Sequence, residues 1–278
     1  MRKQSSVGSW VAALVVLLGI VVAGLYFLGK GRQAPVSSVP PSPPSPPAVA
    51  GTAPAPIQHP ITQANSGPAP ASTAPLPALD ASDASVTAAL AALAGDSDLS
   101  SLLRQQVIAR IVATIDALPR RSLGTMMLPV HTPKGAFVTD EVDGSTVIGA
   151  GNAGRYAPYM RVVEATDPKA LVAWYVHAYP LFQKAYEQLG YPKGYFNDRL
   201  VVAIDDLLAA PEPTSPPAVV HPQAFYVYAD PALESLSAGQ RLLLRVGTAN
   251  EAKIKAKLRA IRAELTGQMP PAGAHGAG

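Results

Sequence analysis

The densest run of chemically capable side chains is Tyr191-Pro192-Lys193-Gly194-Tyr195-Phe196-Asn197-Asp198-Arg199. Gly190, Pro192 and Gly194 shape a turn, and Asn197 or Asp198 is placed to cap a following helix through its free backbone amides. Arg199 has two readings. Its planar guanidinium either locks the domain through a buried pair or offers a fork to a substrate carboxylate. Tyr191, Tyr195, Phe196 and Asn197 join Arg199 as candidate binding residues, and Arg155 and Tyr156 form a second aromatic and cationic pair. Nine of the ten tyrosines fall between Tyr156 and Tyr228. Tyrosine combines an apolar face with a polar tip, which suits stacking on sugars, gripping a peptide, or lining the edge of a helical core.

A glycan hydrolase needs two carboxylates at a fixed separation. Glu187, Asp198, Asp205 and Asp206 are the carboxylates near the loop. On one helix, Asp198 and Asp205 share a face about 10.5 Å apart along the axis, slightly beyond the usual range for paired acids. Asp198 with Glu187 or Asp205 is therefore the candidate catalytic set if the protein is an enzyme, and a non-enzymatic binding role is preferred. His59, His131, His177, His221 and His275 show no metal-ligand spacing, so neither a metal nor another cofactor is expected. Gly149-Ala150-Gly151-Asn152-Ala153-Gly154 lacks the lysine and Ser/Thr of a phosphate loop and the full dinucleotide-binding spacing, and reads as a loop.

Charge is distributed unevenly. Residues 1–79 hold no acidic residue and four basic ones, Arg2, Lys3, Lys30 and Arg32, whereas residues 80–278 carry 18 basic and 19 acidic side chains. The overall pI of about 9.1 thus reports the flanks of an apolar segment. It does not indicate a basic nucleic-acid-reading domain, and no nucleic-acid partner is expected. The chain contains no cysteine, which excludes disulfides, thiolate metal sites and a cysteine nucleophile.

From Val7 to Gly29 the chain is uncharged and apolar. About 20 such residues cross a bilayer core as a helix. The lipid bilayer is the expected partner of residues 7–29, with residues 1–6 as a cytoplasmic tail. The flanking charges nearly balance. The short N-terminal tail favours a cytoplasmic N-terminus and a periplasmic domain at a bacterial inner membrane. Residues 30–79, rich in Pro, Ala and Ser, read as a disordered spacer. Fully extended as polyproline, its 47 uncharged residues 33–79 reach on the order of 145 Å.

Residues 80–266 then read as a mainly α, multi-helix soluble domain with a small β-hairpin or short strands, and residues 267–278 as a disordered tail. Asp80, Ser82 or Asp83 starts a helix stopped by Gly95. Ser97 or Asp98 caps a second helix in which Leu99, Leu102, Leu103, Val107, Ile108, Ile111, Val112, Ile115 and Leu118 recur at spacings of three and four. Asp143-Gly144 marks a two-residue hairpin turn. Asp167-Pro168 opens a helix that Pro180 is expected to kink or split, and Asn197 caps the next. Ala224–Tyr228 reads as a strand, and Asp230-Pro231 opens a helix ending at Gly247. Thr248 caps a last helix with Ile254, Leu258, Ile261 and Leu265 on one face. Lys253, Lys255, Lys257, Arg259 and Arg262 cover the rest, as a solvated face or as a surface for anionic lipid or wall polymers.

Residues 77–265 resemble a bacterial family known as domain of unknown function 3014. The resemblance rests on Pro77-Ala78-Leu79-Asp80-Ala81-Ser82-Asp83, Ile115-Asp116-Ala117-Leu118-Pro119-Arg120, Asn152 with Arg155-Tyr156, Tyr179-Pro180-Leu181-Phe182, Leu189-Gly190-Tyr191-Pro192, Tyr195-Phe196-Asn197-Asp198-Arg199-Leu200 and Ser237-Ala238-Gly239-Gln240. It implies a membrane-anchored protein with a largely helical extracytoplasmic domain, and brings no activity or catalytic residue with it. The combined expectation is a tethered cell-envelope binding or scaffold module whose partner is an envelope protein or peptidoglycan. A cell-wall hydrolase or modifying enzyme is the alternative.

Overall fold

A computed structural model of the chain describes residues 56–65, 75–93, 99, 102–124, 127–222 and 225–267. The expected span 7–29, the tail 1–6, the first part of the spacer, the helix signals at 95–98 and the C-terminal tail 268–278 lie outside the described residues. Among the described residues no helix is long and apolar enough to cross a membrane. The fold they form is mainly helical, with two small antiparallel strand pairs.

After two short 3-10 turns at Ile61–Gln63 and Leu79–Ala81, α1 runs Asp83–Leu93 and α2 Val107–Ala117. α2 begins later than its apolar period predicts. Gln106 adopts a left-handed backbone (φ 59) that ends the helical path on its N-terminal side. Leu103 instead bridges Val130, and the Leu102 carbonyl accepts the His131 amide at 2.8 Å. Asp83, read from sequence as a candidate cap of its own helix, serves α2. Its carboxylate accepts the amides of Gln106 at 2.6 Å and Val107 at 2.8 Å.

β1 (Thr139–Val142) and β2 (Ser145–Ile148) form the hairpin marked by Asp143-Gly144, whose φ values of 51 and 74 are those of a type I′ turn. Short helices α3 (Asn152–Arg155) and α4 (Ala157–Ala165) follow. α5 spans Pro168–Gln188, capped by the Asp167 carboxylate on the Ala170 amide at 3.0 Å. It is a single helix through Pro180, not the split pair that the proline allows. α6 runs Phe196–Leu208. β3 (Val219–Val220) pairs with β4 (Val227–Tyr228), shorter than the Ala224–Tyr228 strand expected.

The helix expected from Asp230 to Gly247 is two. α7 (Pro231–Glu234) stops, and Ser237 starts α8 (Ala238–Val246) with a reciprocal capping box to Gln240. α9 covers Thr248–Thr266, with Gly247 rather than Thr248 at its cap position.

α5 lies at the centre, packed against α2, α6 and α9, and α9 also covers α4, α6 and α8. Ring packing defines the middle. Phe182 stacks on Phe196 at 5.7 Å and meets Tyr175 edge-on at 5.2 Å, with Trp174 at 5.8 Å. Burying one such phenyl ring stabilises a fold by about 1.5–3 kcal/mol. Ile254, Leu258, Ile261 and Leu265 seal the same core from α9. A smaller cluster of Ile148, Val219, Tyr228 and Leu244 joins the strands to α8.

Candidate functional site

The turn before α6 holds its shape through α5. Gln183 donates to the Gly194 carbonyl at 2.9 Å and accepts the Phe196 amide at 3.0 Å, while Tyr186 stacks on Tyr191 at 4.6 Å. Phe196 then points into the core, fully buried. Asn197, expected to cap α6, does not. It is fully buried, accepts the Tyr175 hydroxyl at 3.2 Å and donates to the His59 carbonyl at 2.9 Å.

The partner of Asn197 belongs to a segment assigned from sequence to the spacer. Residues 56–65 lie along the domain as a strap. Asp198 accepts the amides of Gln58 at 3.1 Å and His59 at 2.6 Å, and the Tyr195 hydroxyl accepts the Ile61 amide at 2.7 Å. Farther along, Asn65 pairs with α9 through its main-chain amide to the Glu264 carbonyl at 2.8 Å and its side chain to the Glu264 carboxylate at 2.9 Å. Leu76 and Leu79 pack on the core as well. A proline-rich composition predicts an unanchored chain, yet proline removes only its own amide. The neighbouring amides remain free for the acceptors that the domain supplies.

Arg199 belongs to a second cluster. Its Nε donates to Asp116 Oδ1 at 3.0 Å and its Nη2 to the Asp116 carbonyl. Arg120 Nη2 donates to the other carboxylate oxygen at 2.6 Å and to the Tyr191 hydroxyl at 2.6 Å, and that hydroxyl reaches the carboxylate at 3.3 Å. The buried Asp116 therefore gathers α2, the Tyr191 turn and α6 into one charge-assisted network. With Asp116 buried and both of its carboxylate oxygens taken, the half-buried Arg199 favours the lock over the substrate fork.

Arg155 likewise serves the fold. It donates to the carbonyls of Lys134 at 3.3 Å and Gly135 at 2.9 Å and to Asn152 Oδ1 at 3.2 Å, while Asn152 holds both Val138 and Gly149. The glycine-rich stretch, expected to be a loop, is one only at residues 149–151, since Asn152–Gly154 begin α3, and it is fastened to the hairpin. Tyr156 is buried, and burial pushes its phenol up. Burial does the same to Tyr175 and Tyr228, and pushes Tyr159 up to about 12. Most of the tyrosine-rich segment is core.

Each candidate acid already has a partner. Asp198 holds the strap, Asp205 is bracketed by Arg262 Nε at 2.5 Å and Nη2 at 3.1 Å, and Glu187 meets Lys184 at 3.7 Å and Gln183 at 3.5 Å. Asp206 accepts the Ser237 hydroxyl at 2.7 Å, and burial raises its carboxyl above the ordinary range. The described residues contain no group of three metal-ligating side chains.

The basic face of α9 is largely spoken for. Lys253 pairs with Glu164, Arg262 with Asp205, and Lys257 donates to the Thr166 carbonyl. Lys255 is buried between Glu251 at 3.1 Å and Glu212 at 2.8 Å. Apart from Glu251, four residues before Lys255 on α9 itself, these partners arrive from other elements, which spacing along one helix does not show.

A family model described as Protein of unknown function (DUF3014) matches residues 107–262. The chain belongs to the DUF3014 family. The match covers more than half of the chain and contains Asp116, Tyr195, Asn197, Asp198 and Arg199, whereas strap residues 56–65 precede it. No curated protein and no solved structure matches the sequence. For this DUF3014 domain, the site is accordingly described by its own geometry.

Proposed function

We propose that this protein is a single-pass bacterial inner-membrane protein whose periplasmic domain acts as a binding or scaffold module for an envelope protein or peptidoglycan. The anchor rests on the uncharged run 7–29, which is more stable among lipid tails than in water. One observation carries the non-enzymatic reading. Asp198, the acid shared by both candidate catalytic pairs, has its two oxygens on the Gln58 and His59 amides. A general acid or nucleophile needs a free face toward substrate. In both pairs weighed for the hydrolase alternative, Asp198 with Glu187 and Asp198 with Asp205, each carboxylate already has a partner.

The test uses the full-length chain. After detergent-free lysis it is expected in the membrane fraction, and crosslinking in intact cells is expected to recover an envelope protein, or the purified protein to sediment with cell-wall sacculi. Recovery of the intact chain in the soluble fraction would refute the anchor. Muropeptide release that disappears in Asp198→Asn would replace the scaffold with a hydrolase.

A further inference from the structure

The polar atoms presented by Tyr195, Asn197 and Asp198 meet the strap through its main chain. Over residues 58–61 they take two consecutive amides, one carbonyl and, past Pro60, one further amide. Pro60 has no amide, and it sits at the position where none is bound. Its fixed φ also lowers the entropy lost when the segment docks, as in other proline-containing recognition segments.

The receiving side stands on supports of its own. Asn197 is oriented by the Tyr175 hydroxyl, the Tyr195 ring lies 5.6 Å from that of Tyr179, and the Phe196 amide is fixed by Gln183. The strap itself is thinly held. Residues 56–63 include no buried side chain, and Ile57 is 52 % exposed. Ile61 and Ala64 rest against the core, whereas residues 56–60 add no side chain to it, and a stretch held mainly by hydrogen bonds opens at lower free energy than the helices beneath it.

We propose that Tyr195, Asn197 and Asp198 form a peptide clamp that reads an extended, proline-containing main chain. The chain's own residues 58–61 fill it in cis, and the clamp accepts the same segment from a second copy of the chain. A second copy is the occupant because its strap reproduces each contact of the first, so exchange preserves every hydrogen bond while joining two protomers. Nine residues separate Asn65 from Pro75. Belonging to the same chain, the cis strap faces the clamp at an effective concentration on the order of millimolar, which is what a second copy must match. The clamp requires no membrane, so its test is independent of the anchor.

The experiment uses two full-length variants in detergent. The acceptor carries Gln58→Pro, His59→Pro and Ile61→Pro, which removes all three amides that the clamp takes. The donor carries Asp198→Ala, a distinguishing tag and an intact strap. Neither can pair with itself through the clamp.

A synthetic peptide of residues 56–65 is expected to bind the acceptor, to bind an acceptor also carrying Asp198→Ala at least tenfold more weakly, and to leave the self-filled wild type unbound at submillimolar concentration. Donor and acceptor are expected to co-purify when mixed, and the peptide to compete them apart. Hydrogen exchange across Phe196–Leu208 reports whether the acceptor is folded. A folded acceptor that binds neither peptide nor donor overturns the proposal. So does one that loses protection across that helix, since the strap is then a fixed part of the fold. Peptide binding without donor assembly overturns the second copy as occupant.

Discussion

Asp116→Ala tests the reading of Arg199 as a lock. The substitution strips acceptors from Arg199 Nε, Arg120 Nη2 and the Tyr191 hydroxyl, leaving the Asp116 carbonyl for Arg199 Nη2. Removing one partner of a fully buried pair costs about 3–5 kcal/mol. Here the Arg199 side chain is 22 % exposed against 10 % for Asp116, so water recovers part of the loss and about 2–3 kcal/mol remains. For a domain of this size that lowers Tm by about 4–12 °C. Arg199→Ala is expected to destabilise comparably, with a coupling energy of about 1–2 kcal/mol in the double-mutant cycle. Arg199→Lys should recover less than half, because an ammonium lacks the planar fork that spans both carboxylate and carbonyl. Urea denaturation of the full chain in detergent measures all four. If Asp116→Ala and Arg199→Ala each cost under about 0.5 kcal/mol, or add without coupling, the lock is wrong. Loss of partner capture by Arg199→Ala at unchanged stability would assign its guanidinium to a ligand.

Gly239→Ala is expected to lose about 1–3 kcal/mol in urea denaturation, since its new methyl would lie 2.7 Å from Leu207 Cδ2 and 3.3 Å from the Leu118 carbonyl. Gly154→Ala, with nothing within 4 Å, is the control and should be neutral or stabilising by up to about 1 kcal/mol. Burial holds the phenols of Tyr156, Tyr175 and Tyr228 protonated above the ordinary phenol range in the folded chain. The unfolded chain releases those protons near pH 10, so the stability they confer is complete below about 10 and declines as pH rises from there toward their folded values. Phenolate absorbance should accordingly rise in two stages, the second coinciding with loss of helical circular dichroism, and a single early stage would contradict their burial. Asp198→Ala should abolish exchange protection at the Gln58 and His59 amides and admit protease at 57–63 while α5 and α9 stay protected. Unchanged protection at both amides would contradict the carboxylate's hold on the strap.

The elements legible in the sequence were those specified by neighbours in the chain. Asp143-Gly144 reads as a hairpin because a type I′ turn needs two positive φ values, and Asp167-Pro168 reads as a helix start because the cap and the fixed φ are adjacent. Long-range partners broke the same logic elsewhere. Leu99 to Leu103 continue the period of α2, yet Leu103 bridges Val130 and Gln106 turns left-handed. Asn197 has the identity of a cap, but its amide serves His59, 138 residues away. Arg199 was visible as a special residue, whereas its counter-charge lies 83 residues upstream on another helix. Ser237 and Gln240 did carry a readable signal, the Ser-x-x-Gln spacing that divides α7 from α8.

The far end of the strap and the C-terminal end of α9 are neighbours. Asn65 is paired with Glu264, and a methyl on Gly267 would touch the Gln63 carbonyl at 2.6 Å. A linker long enough to run back along the strap can join Gly267 to Pro56, with new termini cut at the exposed Asp143-Gly144 turn. Such a circular permutant would keep the strap contacts and the packing of α9, while moving both free ends to the hairpin tip.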